Sequence, residues 1–493
     1  MFMIPSKTHS LSSDSTPSPS ADLSKRLLLW LVAVAFFMES LDTTILNTAV
    51  PTIAAALRVS PLSMKSVIAS YSLSLAVFIP ISGWMADRFG TRRVFASAIG
   101  LFMLGSLLCG LSSDIRVLVS CRILQGCGGA MMVPVGRLTL VRAFAKSELV
   151  RAISFVQIPG LIGPMLGPIA GGAIVGYLHW RLIFFVNIPI GLIGLLMVFL
   201  HLPEYREERT PPLDLMGMIL FGSGVGLLSY VLEVFGEHTL ELGELTGLFA
   251  VSLALITGYW LHAKTGESPL LQLNLFRIRT FATAVVGGFC TRLGIGGVSF
   301  LLFLLYQVGL GFTPVQSGLL VIPQAAAAIG CKFAMPQILT RFGYRAALIS
   351  NTLVMGLLLL LFATIGLHTP VWVIVLLAFS YGASTSSQFT SINTLTYADI
   401  TEDEASMAGS VASTAQQMSI SFGVASAGLA AAFFVPVGQG SNPVAMIRGT
   451  HRSFIALGVF TLISTIVFAR LRSTDGDSVS RQKAIRSAKS DPR

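Results

Sequence analysis

Charged residues are scarce in this chain of 493 residues: 11% are Asp, Glu, Lys or Arg, whereas 53% are hydrophobic. A soluble globular chain usually carries about 25% charged residues, so the composition excludes an ordinary soluble domain. The five cysteines lie in apolar runs without a C-x-x-C pair, which excludes a disulfide framework or zinc-site spacing. The sequence also lacks Walker A, H-E-x-x-H and G-x-S-x-G motifs. We therefore expect no enzyme, no metal site and no cofactor.

Long apolar segments are abundant instead, and each is long enough to cross a bilayer. We place fourteen of them at 27–50, 64–84, 94–113, 115–141, 151–176, 180–202, 214–235, 245–263, 280–308, 315–337, 346–367, 370–394, 404–434 and 453–470. The prediction is an all-α membrane protein with about fourteen transmembrane helices.

Lys and Arg are concentrated in alternate loops. With a cytoplasmic N-terminus, the inner loops hold most of them, including Arg88, Arg142 and Arg341. The positive-inside rule then places both termini in the cytoplasm, in the inner membrane of a bacterial cell. The same distribution explains the net charge of +10 without a nucleic-acid partner.

A weak internal repeat divides the chain. The segment Arg88-Phe-Gly-Thr-Arg92 recurs as Arg341-Phe-Gly-Tyr-Arg345, and repeated halves around a central cavity are common in transporters. The predicted division is a disordered cytoplasmic tail at 1–24, a six-helix bundle at 25–202, two inserted helices at 203–275, a second six-helix bundle at 276–472 and a basic cytoplasmic tail at 473–493.

Two carboxylates lie inside the first predicted span. Glu39 and Asp42 are three residues apart and so share a helix face. Ionisable groups within a membrane are costly and are functional candidates by default. Two carboxylates this close repel when both are ionised, which favours a proton on one of them. Glu39 could equally be a polar group that faces the lumen and is satisfied by a hydrogen bond.

The depth of these carboxylates predicts a partner. Asp42 lies ~22 Å and Glu39 ~18 Å from the cytoplasmic end of their span, and Arg122 lies ~10 Å from the outer end of the fourth span. In a hydrocarbon core of about 30 Å these depths nearly coincide. We expect Arg122 to face the Glu39/Asp42 pair, so that protonation of a carboxylate releases the arginine.

Two further stretches carry unusual residues. The loop after the second span combines acidic, basic and glycine residues that could pair at helix ends, although its arginines could simply anchor the topology: Gly83, Asp87, Arg88, Gly90, Arg92 and Arg93. The fifth span carries a glycine stripe with two prolines, typical of close helix packing and bending: Gly163, Pro164, Gly167, Pro168, Gly171 and Gly172. We expect this stripe to lie between two bundles that rock against each other.

These stretches resemble motifs of the fourteen-span drug:proton antiporters of the major facilitator superfamily. The resemblance runs from about residue 25 to 472, and it includes Leu41–Pro51 in span one and Arg122–Ala130 in span four. It implies the major facilitator fold, a loop that latches the outward-open state, and export of small compounds against protons. Glu39 has no counterpart in the family motif.

The resulting functional prediction is a proton-coupled exporter of small amphipathic or cationic compounds that works by alternating access. A carrier of one specific metabolite and a non-transporting membrane sensor are the alternatives. Expected partners are the substrate, protons and the lipid bilayer, with the chain acting as a monomer. Candidates for the substrate path are Asn47, Gln125, Arg292, Gln388, Asn393 and Gln416, which could equally bond between helices.

Overall fold

The computed structural model describes residues 19–476, except 145, 208–209, 211, 236–240, 267–268, 402–403, 437–439 and 441. The predicted tails therefore lie largely outside the described residues. The α-helices are α1 (Pro19–Ala56), α2 (Lys65–Phe89), α3 (Thr91–Leu111), α4 (Ile115–Ala143), α5 (Lys146–Tyr177), α6 (Leu182–Phe185), α7 (Asn187–His201), α8 (Leu215–Phe235), α9 (Leu242–Thr265), α10 (Arg279–Ile295), α11 (Val298–Leu304), α12 (Pro314–Leu319), α13 (Ile322–Phe362), α14 (Val371–Thr396), α15 (Ala405–Phe434) and α16 (Pro443–Ala469). Short 3₁₀ helices span Pro61–Met64 and Leu273–Arg277, and a π-helical turn spans Leu305–Gly309.

The all-α prediction is confirmed: the described residues contain helices and no strand. Eleven of the described helical segments are long and apolar enough to cross a membrane. The longest of these, Pro314–Phe362, holds two crossings, because Gly343 interrupts it with non-helical angles. With α5 and α14 added, the described helices give the fourteen crossings that the sequence predicts.

The internal repeat reappears in the backbone. Gly90 has φ +92° at the junction of α2 and α3, and Gly343 has φ +75° at the break in α13. Only glycine adopts such angles readily, so the chain turns sharply between consecutive crossings at both positions. The Arg-Phe-Gly-x-Arg repeat therefore encodes the same turn in each half. The boundaries of the halves at residues 202 and 276 stay a prediction.

The first helix begins earlier than the sequence suggests. α1 starts at Pro19, within the stretch expected to be a disordered tail. Proline suits the first turn of a helix, because its missing N–H would have no intrahelical partner there.

The glycine stripe of α5 packs against α1. A Cβ at Gly167 would lie 2.1 Å from Thr44 Oγ1, and one at Gly171 would lie 2.4 Å from the Ile45 carbonyl oxygen. The expected position between two bundles is therefore wrong for Gly163, Gly167 and Gly171, since α1 and α5 belong to the same half, whereas Gly172 does lie against Pro314 of the second half. The reason is geometric: glycines four apart face one neighbour, and that neighbour is α1. Gly172 lies on a different face.

Ser40 of α1 replaces a backbone hydrogen bond that α5 loses at a proline. Pro164 has no N–H, so the Gly160 carbonyl loses its helical donor. The Ser40 hydroxyl donates to this carbonyl at 2.7 Å. Side chains from neighbouring helices commonly satisfy backbone groups that proline frees inside a membrane. Serine on α1 thus allows α5 to carry proline at this depth.

The two halves meet at one end of the molecule. We call the end that carries Arg88 and Arg142 the basic end. At the other end, Gly172 approaches the Pro314 carbonyl so closely that a Cβ would lie 2.6 Å from it. Two hydrogen bonds also join the halves away from the basic end: Gln307 donates to the Thr48 carbonyl at 2.8 Å, and Ser421 donates to the Ala69 carbonyl at 2.9 Å.

The inserted helices α8 and α9 pack on the outside of this junction. Phe221 of α8 and Tyr259 of α9 join one apolar cluster with Phe422 of α15, and Leu73 of α2 packs against the same cluster. The Ser252 hydroxyl donates to the Gly224 carbonyl at 2.8 Å and ties the pair together. The inserted pair therefore contacts both halves from the outside.

We predict that Gly171→Ala weakens the α1–α5 contact. The added methyl would lie 2.3 Å from Thr48 Oγ1 and 2.4 Å from backbone, so the helices must separate. Overpacking of this kind costs about 1–3 kcal/mol. Thermal melting of the purified protein should show a lower midpoint. The matched control is Gly100→Ala, which meets nothing within 4 Å. Equal midpoints for the two variants would contradict the prediction.

Candidate functional site

An ion pair lies in the middle of the first half. Asp42 of α1 and Arg122 of α4 are each 1% exposed. Arg122 Nη1 donates to Asp42 Oδ2 at 2.6 Å. The structure thus brings together the two residues that helix depth alone predicted to be partners.

Two amides complete the coordination of Asp42. Gln125 Nε2 donates to Asp42 Oδ1 at 2.9 Å, and Asn187 Nδ2 donates to the same oxygen at 3.0 Å. Gln125 Oε1 in turn accepts from Arg122 Nη1 at 2.8 Å. Gln125 and Asn187 are fully buried. Gln125 therefore belongs to the ion-pair network rather than to the surface of a substrate path.

Arg122 is held from its other side by an aromatic ring and by backbone. Its guanidinium lies 4.4 Å from the centre of the Tyr71 ring, and its Nε donates to the Val67 carbonyl at 3.4 Å. A cation over an aromatic face gains stabilisation that increases when water is absent. Both residues come from α2, so the charge network ties α1, α2, α4 and α7 together.

Glu39 lies outside this network. Among the described residues its Oε2 is buried without a hydrogen-bond partner. The expectation that Arg122 faces both carboxylates is therefore only half right, because, of the two carboxylates, Arg122 bonds only to that of Asp42. Glu39 instead lies one turn along α1 from Phe36, whose ring is 5.5 Å from the exposed guanidinium of Arg137.

Asn187 is the member of the network that the sequence reasoning missed. It begins α7, just after the four-residue helix α6, and Ser106 Oγ lies 3.0 Å from its Nδ2. The available signal was an asparagine within an otherwise apolar crossing. Its amide nitrogen finds partners in Asp42 and Ser106, whereas its Oδ1 is buried without a hydrogen-bond partner among the described residues.

The loop at the basic end forms a second charged cluster. Arg142 of α4 lies between two carboxylates, with Nη2 2.7 Å from Asp87 Oδ1 and 2.9 Å from Glu207 Oε1. The Glu207 amide also donates to the Asp87 carbonyl at 3.0 Å. Arg92 donates to the Phe199 carbonyl, whereas Arg88 and Arg93 are exposed. These contacts join the first half to the segment after α7, and none of them involves the second half.

Gly90 and Gly83 of this loop differ in burial and in the space available for a side chain. Gly90 is buried, and a Cβ there would lie 1.5 Å from Glu204 Oε1, whereas Gly83 is exposed with nothing within 4 Å. The adjacent Thr91 amide donates to the Tyr205 carbonyl at 3.0 Å. Gly90 therefore lets the segment after α7 lie against the α2–α3 turn.

A cleft lies in the second half. It is lined by Arg292 and Gln388 among others, while Asn393 and Gln416 line a smaller adjacent hollow with Arg292. Gln388 also accepts from Asn351 Nδ2 at 2.8 Å and donates to Thr352 Oγ1 at 2.9 Å, so it bonds between helices. Four of the six predicted path residues thus line this region. Asn47, the remaining candidate, is half-buried on α1.

Fourteen apolar crossings, a turn repeated in two halves and an ion pair buried in the bundle together define a secondary transporter. The family model described as Major Facilitator Superfamily matches residues 32–424. The chain belongs to the Major Facilitator Superfamily.

Bacterial proteins described as "Putative multidrug resistance protein MdtD" are sequence relatives of this chain. The chain is 41% identical over 472 residues to "Putative multidrug resistance protein MdtD" of Escherichia coli K12, covering 94% of this chain and 98% of that protein. A protein of the same description from Shigella boydii serotype 18 has the same identity and coverage. The recognition of a relative of bacterial multidrug exporters is confirmed.

Solved structures agree on the fold. The inward-open xylose transporter XylE from E. coli has a TM-score of 0.61 at 13% identity, covering 94% of this chain and 99% of that one. An inward-facing bacterial homologue of the human lysosomal transporter Spinster has a TM-score of 0.64 at 14% identity, covering 95% and 99%. Identities this low show the fold alone.

We predict that Asp42 and Arg122 are energetically coupled. Arg122→Gln leaves a buried carboxylate without its cation, and Asp42→Asn leaves a buried cation, so each should destabilise the protein by about 3–5 kcal/mol. The double variant should lose less than the sum, because neither charge is left alone. Thermal melting of all four proteins measures the coupling. Arg116→Gln, on an exposed position of the same helix, is the control. Additive losses would refute the coupling.

We also predict that Gly90→Ala disrupts the basic-end loop. Glu204 is exposed and can move aside, so the main cost is the φ of +92°, which an alanine adopts only with strain of about 1–3 kcal/mol. The melting midpoint should fall for Gly90→Ala and stay near wild type for Gly83→Ala. The reverse order would show that the turn does not need glycine.

Proposed function

We propose that this chain is a proton-coupled exporter of small amphipathic compounds and that it works by alternating access. The observation that carries the proposal is the buried Asp42–Arg122 pair. A membrane protein retains such a costly pair where its charge must change during function. The names of the relatives support export of drugs as the direction and the broad substrate class.

Asp42 is the proposed proton carrier. When its carboxylate takes a proton, the attraction to Arg122 falls and one of the acceptors of the network is lost. A carboxylate and a guanidinium attract strongly at low dielectric, so this change alters the balance between α1 and α4. Glu39, with a buried oxygen that has no partner among the described residues, is the candidate for a second proton.

The packing of α1 provides a path from this proton site to the junction of the halves. Six residues after Asp42, the Thr48 carbonyl accepts the hydrogen bond from Gln307 of the second half. α1 also lies against α5 through glycines, and α5 contacts α12 of the second half at Gly172. A shift of α1 after protonation would therefore act on both contacts.

The basic end is proposed to face the cytoplasm, following the positive-inside rule. The two hydrogen bonds between the halves lie away from that end, and Arg137 and Tyr397 are exposed. This arrangement corresponds to a cleft open to the cytoplasm. In the opposite state, the Asp87 loop would latch the halves together at the basic end, and Arg142 would then have to share Asp87 with a residue of the second half.

We predict that Asp42→Asn abolishes proton-linked efflux. Everted membrane vesicles with an acridine-type pH dye would receive lipophilic cations, neutral compounds and organic acids in turn. Wild type should restore dye fluorescence with at least one compound, whereas Asp42→Asn should match vesicles that lack the protein, because an amide cannot carry the proton. Asp114→Asn is the control, since this exposed carboxylate caps α4 and asparagine caps equally well.

Three results would redirect the proposal. Recovery that persists in Asp42→Asn would remove Asp42 as the carrier. Recovery with one compound alone would favour a carrier of a specific metabolite. Absence of recovery with every compound would refute proton-coupled export and favour a sensor.

A further inference from the structure

The second half contains a buried cation without a counter-charge. Arg292 of α10 is only 9% exposed, and among the described residues its Nη2 has no hydrogen-bond partner. Its guanidinium lies 5.2 Å from the centre of the Phe389 ring. It also folds back along α10 over Gly288, where a Cβ would lie 2.8 Å from Nη1. Phe389 and Gly288 thus provide space and a π-face for the charge but no negative group.

Arg292 lines a cleft suited to a small organic molecule. The cleft has a volume of about 210 Å³, and Phe389, Ile392 and Ile420 give it apolar walls. Gln324, Tyr381 and Thr385 add polar groups beside Arg292. Ligand sites typically combine apolar walls with a few polar groups that fix orientation. Arg292 is the charged member of this set.

The described residues of the same half place no counter-ion beside Arg292. Between Arg279 and Ala469, the sequence contains Asp and Glu only in the segment 399–404. In that segment, Asp399 accepts from Thr280 at the start of α10, about 18 Å along the helix from Arg292. Asp475, beyond α16, pairs with Arg279. Neither reaches the cleft.

The first half offers two carboxylates, those of Asp42 and Glu39. The charge of Asp42 is already neutralised by Arg122, and Gln125 and Asn187 also donate to this carboxylate. Glu39 remains, at a depth on α1 that corresponds to Arg292 on α10: each lies about 20 Å from the basic-end start of its crossing. The two halves therefore place a carboxylate and a guanidinium on corresponding helices.

We propose that Arg292 binds an acidic group of the transported compound, which makes the substrates amphipathic organic anions such as aromatic carboxylates. This inference rests on the proposed transport function and names the substrate class of its cleft. An isolated cation within a membrane is costly, and a carboxylate with a bidentate contact to the guanidinium compensates it. The apolar body of the compound would lie against Phe389 and Ile420. Arg137, exposed at the basic end, would attract the same charge.

This substrate class differs from the one that the sequence suggested. Two carboxylates in span one pointed to amphipathic cations. In the structure, Arg122 neutralises Asp42, so the first half contributes at most Glu39 to the cleft. The positive charge of Arg292 offsets the negative charge of Glu39, and Arg137 adds a further positive charge. The described residues around the cleft thus give no excess of negative charge for a cation.

The test is a binding measurement that does not depend on transport. Purified full-length protein in neutral detergent would be titrated with aromatic carboxylates, each matched by its neutral amide and by the corresponding amine. Tryptophan fluorescence and equilibrium dialysis report binding. Wild type should bind at least one acid about tenfold or more tightly than its amide and amine, as expected for a hydrogen-bonded charge pair. Arg292→Gln should lose that preference, and Arg292→Lys should keep part of it.

Controls separate binding from folding and from transport. Lys332→Gln removes another cation of the second half that does not line the cleft, so it should bind the acids as wild type does. Because binding is measured without proton movement, wild type that binds acids but shows no efflux would support this inference and refute the transport proposal, which separates the two failures. Melting midpoints show whether each variant is folded.

Several outcomes would overturn the inference. The first is that no carboxylate binds to wild type more tightly than its amide. The second is that the preference for acids survives unchanged in folded Arg292→Gln. Acids could bind only after Glu39→Gln, which would identify Arg292 as the counter-ion of Glu39. Phosphatidylglycerol could stabilise wild type through Arg292 while no carboxylate binds, which would make a lipid headgroup the ligand.

Discussion

The cost of placing charge in a bilayer shapes the first half of this protein. Asp42 and Arg122 are stable at that depth only because each neutralises the other and because Gln125 and Asn187 satisfy the remaining lone pairs. Four helices must be held at fixed distances for these bonds to form. The network therefore determines how the first bundle packs, and its dependence on charge makes it sensitive to a single proton.

Backbone constraints account for the way in which that bundle connects to the second. Pro164 of α5 has no backbone N–H to donate to the Gly160 carbonyl, and the Ser40 hydroxyl of α1 donates to that carbonyl instead. The glycines of α5 let α1 approach, so the helix that carries Asp42 and the helix that contacts α12 behave as one unit. Close packing of this kind transmits displacement, because a well-packed interface cannot deform gradually.

The two halves share a fold but differ in how they treat charge. In the first, the buried cation has an internal partner, and in the second Arg292 has none among the described residues. The shared turn at Gly90 and Gly343 shows that both halves follow one plan. The proposals follow this difference, with proton coupling proposed for the first half and recognition of the compound for the second.

Hydrophobic run length was enough to predict the membrane-spanning helices, since a bilayer leaves the backbone few alternatives. The Arg-Phe-Gly-x-Arg repeat indicated two related halves, and the structure added the turn that both copies form. Depth along a helix also sufficed to pair Asp42 with Arg122. Rotation about the helix axis was beyond the sequence, because it depends on which neighbour packs there. Tertiary structure alone decided that the α5 stripe faces α1, that Asn187 joins the network while Glu39 stays outside it, and that Arg292 faces the cleft unpaired.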